Sequence, residues 1–157
     1  MIIKGLNECD IVNYKKSSMF IIFPYCTFKC DKESNGSYCQ NSSLARSPNI
    51  SVTLENIVYK YVNNPLTEAI VFGGLEPMDS WEDVKGLVQE LRQHTDDDIV
   101  IYTGYNKSEV QEKLNFLQQY KNIIIKFGRF IPNDCPHFDS VLGVNLSSSN
   151  QYAEKIS

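Results

Sequence analysis

The chain has 157 residues and a mass of 18.0 kDa, which predicts a single domain over residues 1–157. Fifteen basic and nineteen acidic side chains give a net charge of −4, which argues against a dedicated nucleic-acid or anionic-membrane binder. No apolar run approaches the roughly 20 residues that cross a bilayer, and the N-terminal segment lacks the long apolar stretch of a secretory signal. We therefore expect a cytoplasmic protein without a membrane or nucleic-acid partner.

Short apolar runs alternate with helical patterns along the chain. Buried strands are predicted at four apolar runs: 18–23, 69–72, 98–103 and 122–127. Apolar residues at helical spacing predict one helix after Thr53 and another after Ser80. A third helix is predicted to open with a capping box formed by Ser108 and Gln111. The segment 141–146 is compatible with one further short strand.

Strands that are separated by single helices predict βαβ units, an α/β fold and a mainly parallel sheet. Four such units are too few to close an eight-stranded barrel of about 250 residues, so we expect an open partial (βα) barrel. Ligands bind at the carboxyl ends of the strands in such sheets. Three segments follow predicted strands and should meet at this edge: the cysteine segment 26–39, the segment 73–77, and Thr103 with Gly104.

The cysteines are the first indication of chemistry. The chain contains five cysteines. A disulfide framework requires an even number and a secreted context, and neither is indicated here. Three lie within one segment of fourteen residues: Cys26, Cys30 and Cys39. Three thiolates suit a [4Fe–4S] cluster, on which they would leave one iron open to a substrate or cofactor. The alternatives are buried structural thiols or a structural zinc site completed by Cys9, Cys135 or His137, and the spacing does not decide among them.

The first strand and its Cys26-x3-Cys30 sequence resemble the opening of radical S-adenosylmethionine (SAM) enzymes. Their usual pattern is Cys-x3-Cys-x2-Cys, with an aromatic residue just before the third cysteine. Tyr38 holds that position before Cys39, although eight residues instead of two separate Cys30 from Cys39. The resemblance implies that the three cysteines bind a [4Fe–4S] cluster, that its open iron binds SAM, and that Tyr38 packs against the adenine. The polar insertion is expected to bulge outward and return Cys39 to the cluster.

A glycine-rich turn after the second predicted strand extends the resemblance. Gly73-Gly74-Leu75-Glu76-Pro77 is similar to the Gly-Gly-Glu-Pro motif of the family, with one inserted residue. Paired glycines let the backbone approach a ligand, and the Glu76 carboxylate could accept hydrogen bonds from the SAM ammonium. An ordinary strand-to-helix turn is the alternative. Lys126 could lie near the SAM carboxylate, as in some glycyl-radical activases, or could follow the alternation of a half-exposed strand. Arg129 could serve SAM or a partner, or be a surface charge.

Three further segments resemble the activating proteins of anaerobic (class III) ribonucleotide reductase: Tyr102-Thr103-Gly104-Tyr105, Gly128-Arg129-Phe130-Ile131 and the tail 146–151. The resemblance therefore covers nearly the whole chain. It implies a radical SAM activase that installs a glycyl radical on the anaerobic ribonucleoside-triphosphate reductase. It also implies SAM binding at Thr103, a flavodoxin or ferredoxin as electron donor, and no catalytic residue beyond the cluster and SAM. An activase of the pyruvate formate-lyase type and a non-catalytic module stabilised by zinc or a cluster are the alternatives.

Overall fold

A computed structural model describes all residues of the chain, 1–157. Ten strands are present: β1 (Ile2–Ile3), β2 (Gly5–Asp10), β3 (Ser18–Phe23), β4 (Ile50–Ser51), β5 (Ala69–Gly74), β6 (Asp98–Tyr102), β7 (Ile123–Phe127), β8 (His137–Asp139), β9 (Val144–Leu146) and β10 (Tyr152–Lys155). Five α-helices accompany them: α1 (Lys29–Glu33), α2 (Ser42–Ala45), α3 (Leu54–Val62), α4 (Trp81–Leu91) and α5 (Gln111–Leu117). None of the helices combines the length and hydropathy that crossing a membrane would require.

The fold is α/β and is built on a mixed six-stranded sheet. The strand order is β10-β7-β6-β5-β3-β2, in which the four central strands run parallel and the two edge strands are antiparallel to their neighbours. The helices α3, α4 and α5 each connect one parallel strand to the next, as the βαβ pattern predicts. The carboxyl ends of β3, β5, β6 and β7 therefore meet at one edge of the sheet.

The three connecting helices all pack on the same face of the sheet. Their buried apolar residues join alternate residues of the central strands in one cluster of 22, which includes Ile21, Phe72, Ile101 and Ile125. The helix after Thr53 is present as α3, and Thr53 caps it, because its hydroxyl accepts a hydrogen bond from the Asn56 N–H at 3.1 Å. Burial of this many apolar side chains between helices and sheet is the main stabilising contribution to the fold.

The opposite face of the sheet carries no helix. Its inward residues include Val71, Val100 and Ile124, which pack against Tyr14 and Leu142 in a smaller cluster. The segment between β2 and β3 and the β8–β9 hairpin cover this face of the sheet. This second face carries the cavity described below.

The starts of two helices differ from the sequence prediction. The capping box of the third helix lies upstream of its predicted position and is formed by Asn106 and Glu109 over a 3₁₀ turn, after which α5 begins at Gln111. Ser80 does occupy the N-cap of α4, but its hydroxyl makes no cap hydrogen bond. Its backbone closes another 3₁₀ turn, Pro77–Ser80, and lacks the extended conformation typical of a capping serine.

The predicted strand around 141–146 is shorter than expected and lies outside the main sheet. It is β9, which pairs only with β8 in a separate hairpin. The edge strands β2 and β10 were not predicted, because neither contains an apolar run.

We expect acid to weaken one partly buried ion pair, between Asp98 and Lys16, at the amino-terminal edge of the sheet. Asp98 accepts hydrogen bonds from the Tyr14 hydroxyl at 3.1 Å and from the Lys16 ammonium. Burial by itself would raise the pKa of Asp98, but the hydrogen bonds from Lys16 and Tyr14 bring it below its ordinary value of 3.8. A carboxyl group with a lowered pKa stabilises the fold at neutral pH, and this contribution declines as the pH falls below its unfolded value toward its folded one.

Asp98→Asn should therefore reduce the free energy of unfolding at pH 7 by about 1 kcal/mol and have a smaller effect at pH 3. Urea titrations at the two pH values measure both differences. Asp96→Asn is the matched control, because Asp96 lies two residues away but is exposed. An equal effect of Asp98→Asn at both pH values would contradict the prediction.

Candidate functional site

A cavity of about 420 Å³ opens on the helix-free face, at the carboxyl ends of the parallel strands. Its volume lies within the range of about 300–1,000 Å³ that is typical of small-molecule sites. Eight of the nine predicted site residues line it: Cys26, Cys30, Cys39, Gly73, Gly74, Glu76, Thr103 and Lys126. The structure thus brings the loops after β3, β5, β6 and β7 together around one space.

The ninth predicted residue, Tyr38, lies outside the cavity. Tyr38 is 51% exposed, and its ring lies against Gly36. The Tyr38 backbone N–H donates to an Asp31 carboxylate oxygen at 2.8 Å. The aromatic residues that do line the cavity are Phe20, Tyr102 and Phe130.

The cysteine segment contains more local structure than the predicted loop. Cys26 follows β3, and its Sγ accepts a hydrogen bond from the Phe28 N–H at 3.2 Å, where Phe28 has a left-handed backbone with φ of 53°. Cys30 lies in α1, and Cys39 precedes α2. The residues between Cys30 and Cys39 were expected to bulge outward. The first three of them, 31–33, are instead helical and form most of α1.

Burial controls the ionisation of the thiols. It raises the pKa of Cys26 to about 11, and it also raises the pKa of Cys39. Both groups are therefore neutral thiols at pH 7 unless a metal binds them, since metal ligation requires the thiolate and releases a proton.

The donor set and the space fit a [4Fe–4S] cluster. No three cysteine, histidine or acidic side chains converge in the geometry of a site for a single metal ion. Such a site requires every sulfur to lie about 2.3 Å from one zinc ion, whereas three thiolates on a cubane cluster bind three different iron atoms of a larger body. Cys26, Cys30 and Cys39 line one cavity that has room for such a body.

Gly73 and Gly74 are the last two residues of β5, which extends past the predicted end at residue 72, and they form part of the cavity wall. A Cβ at Gly73 would lie 2.6 Å from the Phe20 ring, and a Cβ at Gly74 would lie 2.5 Å from the Ile22 side chain. Gly74 also has φ of +93°, a conformation that side chains strongly disfavour. The Asn41 side-chain amide donates to the Gly74 carbonyl at 2.8 Å, which joins the cysteine segment to this turn.

Glu76 connects the loops after β5 and β6. It is only 4% exposed, and its two carboxylate oxygens accept hydrogen bonds from the Gly104 N–H at 2.8 Å and the Met78 N–H at 3.0 Å. Burial raises the pKa of Glu76 to about 7, although the hydrogen bonds from Gly104, Thr103 and Met78 oppose this shift. Glu76 therefore joins the loops after β5 and β6 through its hydrogen bonds, and it also lines the cavity.

Lys126 supplies a buried positive charge at the end of β7. The strand is not half-exposed, since all five of its residues are buried, and Lys126 itself is 7% exposed. Its ammonium donates to the Gly128 carbonyl at 2.8 Å. Burial lowers the pKa of Lys126 to about 8, although the nearby Glu76 carboxylate opposes the shift. A buried cation with few partners is suited to an anionic ligand.

Sequence reasoning missed several residues that line the cavity, among them Asn13, Asn145, Ser147 and Gln151. The Gln151 side chain donates to the Gly128 carbonyl at 3.3 Å and accepts from the Ser147 N–H at 3.0 Å. The tail 146–151 therefore forms part of the cavity wall. Its resemblance to the activase tail motif was a signal for Gln151, whereas no motif marks Asn13.

Comparisons with known proteins identify the chain at the level of a family. No curated protein and no solved structure matches it. Residues 16–151 match the family described as the 4Fe-4S single cluster domain. The matched segment includes the three cysteines that line the cavity and the loops that surround them. Since the match spans most of the chain, the protein belongs to the family of 4Fe-4S single cluster domains.

Proposed function

We propose that the protein is a radical SAM activase that installs a glycyl radical on the anaerobic ribonucleoside-triphosphate reductase. The observation that carries this proposal is the single cavity in which Cys26, Cys30 and Cys39 meet the Gly-Gly turn, Glu76 and Lys126. Family membership supports the iron–sulfur part. When bound, the cluster supplies one electron that cleaves SAM to methionine and a 5′-deoxyadenosyl radical, which takes a hydrogen atom from a reductase glycine.

The placement of the helices supports a partial barrel of the radical SAM type. A (βα) barrel carries its helices outside and its ligand at the carboxyl ends of the strands. Here α3, α4 and α5 all cover one face, and the cavity lies on the other. We therefore interpret the six-stranded sheet as an open arc of such a barrel.

The charges at the cavity match the amino-acid end of SAM. Lys126 is suited to the SAM carboxylate, because charge-assisted hydrogen bonds in a buried setting are among the strongest. Glu76 retains lone pairs beyond those used by Gly104 and Met78, and can accept from the SAM ammonium. The backbone at Gly73 and Gly74 leaves the room that a side chain would fill.

The adenine of SAM finds aromatic surface within the cavity. Phe20, Tyr102 and Phe130 line it, whereas Tyr38 is exposed outside. In our proposal the lining residues provide the stacking surface, and Tyr38 contributes only if the segment 31–38 folds inward when SAM binds. A flavodoxin or ferredoxin serves as the electron donor.

Anaerobic turnover with purified candidate partners tests the proposal. The full chain is reconstituted with iron and sulfide and incubated with SAM, dithionite and either the anaerobic ribonucleotide reductase or pyruvate formate-lyase. We expect methionine formation, together with a glycyl-radical electron paramagnetic resonance signal on the reductase. A radical on pyruvate formate-lyase alone would assign the second activase type. Reconstituted protein that forms no methionine would refute the SAM chemistry.

A further inference from the structure

The helix that carries Cys30 is not positioned by apolar packing. α1 has only five residues, and none of them is buried. Its N-cap residue, Phe28, has a left-handed backbone and provides no side-chain cap. A helix this short is unstable without outside contacts, so other interactions must fix Cys30 relative to the sheet.

A group of charged residues holds both ends of α1. At one end, Lys29 donates to a Glu109 oxygen at 3.2 Å and lies over the Tyr105 ring, 4.6 Å from its centroid. At the other end, Glu33 lies 3.2 Å from the Arg129 Nε. Arg129 and Glu109 form a bidentate salt bridge, in which the Arg129 Nη1 and Nη2 donate to the two Glu109 carboxylate oxygens at 2.8 and 2.6 Å. The loops after β6 and β7 therefore clamp α1 from outside.

Arg129 is the centre of this group. It is 7% exposed, and a charged side chain is buried to this degree only when it is paired, as Arg129 is with Glu109. Its Nε lies near Glu33 but makes no hydrogen bond with it, so this donor is unpartnered and buried. Arg129 also lines a small recess together with Cys26 and Cys30. The hydrogen bond to Glu109 raises the pKa of Arg129, although burial opposes this shift.

We propose that Arg129 is a positioning residue for the iron–sulfur site. Its two Nη donors hold Glu109, which accepts from Lys29 at one end of α1, and its charge attracts Glu33 at the other end, so Arg129 fixes α1 and hence Cys30. Its positive charge, next to the cysteine segment, favours the reduced and more negative state of the cluster. The inference rests on cluster binding by the three cysteines, as proposed above, and does not depend on the identity of the glycyl-radical partner.

Two substitutions separate the effect of the bidentate salt bridge from the effect of the positive charge of Arg129. Arg129→Lys keeps the charge but cannot form the bidentate salt bridge, whereas Arg129→Gln loses both. In the full chain before reconstitution, we expect the amides of Lys32 and Ser34, which donate to the Phe28 and Cys30 carbonyls, to exchange with deuterium about tenfold faster in both variants. In the reconstituted protein, Arg129→Gln should disfavour cluster reduction about tenfold, or about 59 mV for one electron. Arg129→Lys should leave the potential close to that of the wild type.

The controls keep each part of the proposal open to refutation. Lys32→Gln removes an exposed positive charge from α1 itself and should change neither exchange nor potential. Glu109→Gln serves if Arg129→Gln fails to fold, because it weakens the bidentate salt bridge while Arg129 keeps its charge, and it should accelerate exchange. Unchanged exchange in the Arg129 variants would overturn the positioning role, and an unchanged potential in Arg129→Gln would overturn the electrostatic one. A wild-type chain that binds no cluster would refute the proposed function, while exchange would still decide whether Arg129 fixes α1.

Discussion

Replacement of any one of Cys26, Cys30 and Cys39 by serine is expected to abolish the iron–sulfur cluster. The three thiols line one cavity, and the proposed cluster has no other protein ligands. A serine hydroxyl is a much harder and less acidic ligand than a thiolate, so it should not replace the lost bond to iron. After anaerobic reconstitution, iron and sulfide should fall from about four of each per chain to a small fraction of that amount, and the brown visible absorbance should disappear.

The two remaining cysteines provide matched controls. Cys9 and Cys135 are exposed and do not line the cavity, so Cys9→Ser and Cys135→Ser should keep full iron and sulfide. Circular dichroism checks that every variant is folded before it is reconstituted. A wild-type chain that takes up zinc in place of iron, and loses it on Cys135→Ser, would instead favour a structural zinc site. Retention of the cluster in Cys39→Ser would show that Cys39 is not a cluster ligand.

The central strands could be predicted from sequence because burial on both faces leaves continuous apolar runs. The stretches that became β3, β5, β6 and β7 are of this kind. The edge strands β2 and β10 have a solvent side and contain few apolar residues, so their composition does not separate them from loops. Their pairing depends on the partner strand, which the local sequence does not reveal.

Much of the site could be predicted for a general reason. Neighbouring parallel strands have their carboxyl ends at one edge of the sheet, so the cysteines that follow β3 lie near the glycines that end β5. The ion pair of Arg129 with Glu109 could not be predicted, because it joins the turn before α5 to the loop after β7 and has no local pattern. The burial of Lys126 could not be predicted either, because it depends on contacts with the tail 146–151, which is distant in sequence.

Glu76→Gln is expected to weaken both the fold and the binding of SAM. The two oxygens of Glu76 each accept one backbone N–H, from Gly104 and from Met78. Glutamine has one acceptor oxygen and one amide that only donates, so one of these buried N–H groups would lose its partner. An unsatisfied buried donor costs about 1–3 kcal/mol, which urea unfolding should detect. The carboxylate charge that would meet the SAM ammonium is also lost, and we expect affinity to fall at least about tenfold, or about 1.4 kcal/mol.

Stability and affinity must be measured on the same preparations, because Glu76 has a structural contact as well as a proposed ligand contact. Equilibrium dialysis of SAM against the reconstituted chain gives the affinity, and iron content should stay at the wild-type level because Glu76 is not a proposed cluster ligand. Glu82→Gln is the control, since the Glu82 side chain is 83% exposed and should affect neither quantity. If Glu76→Gln lowers stability but leaves the affinity for SAM unchanged, Glu76 only braces the loops after β5 and β6. The SAM ammonium would then have to be bound by other acceptors that line the cavity, because the proposed contact with Glu76 would be absent.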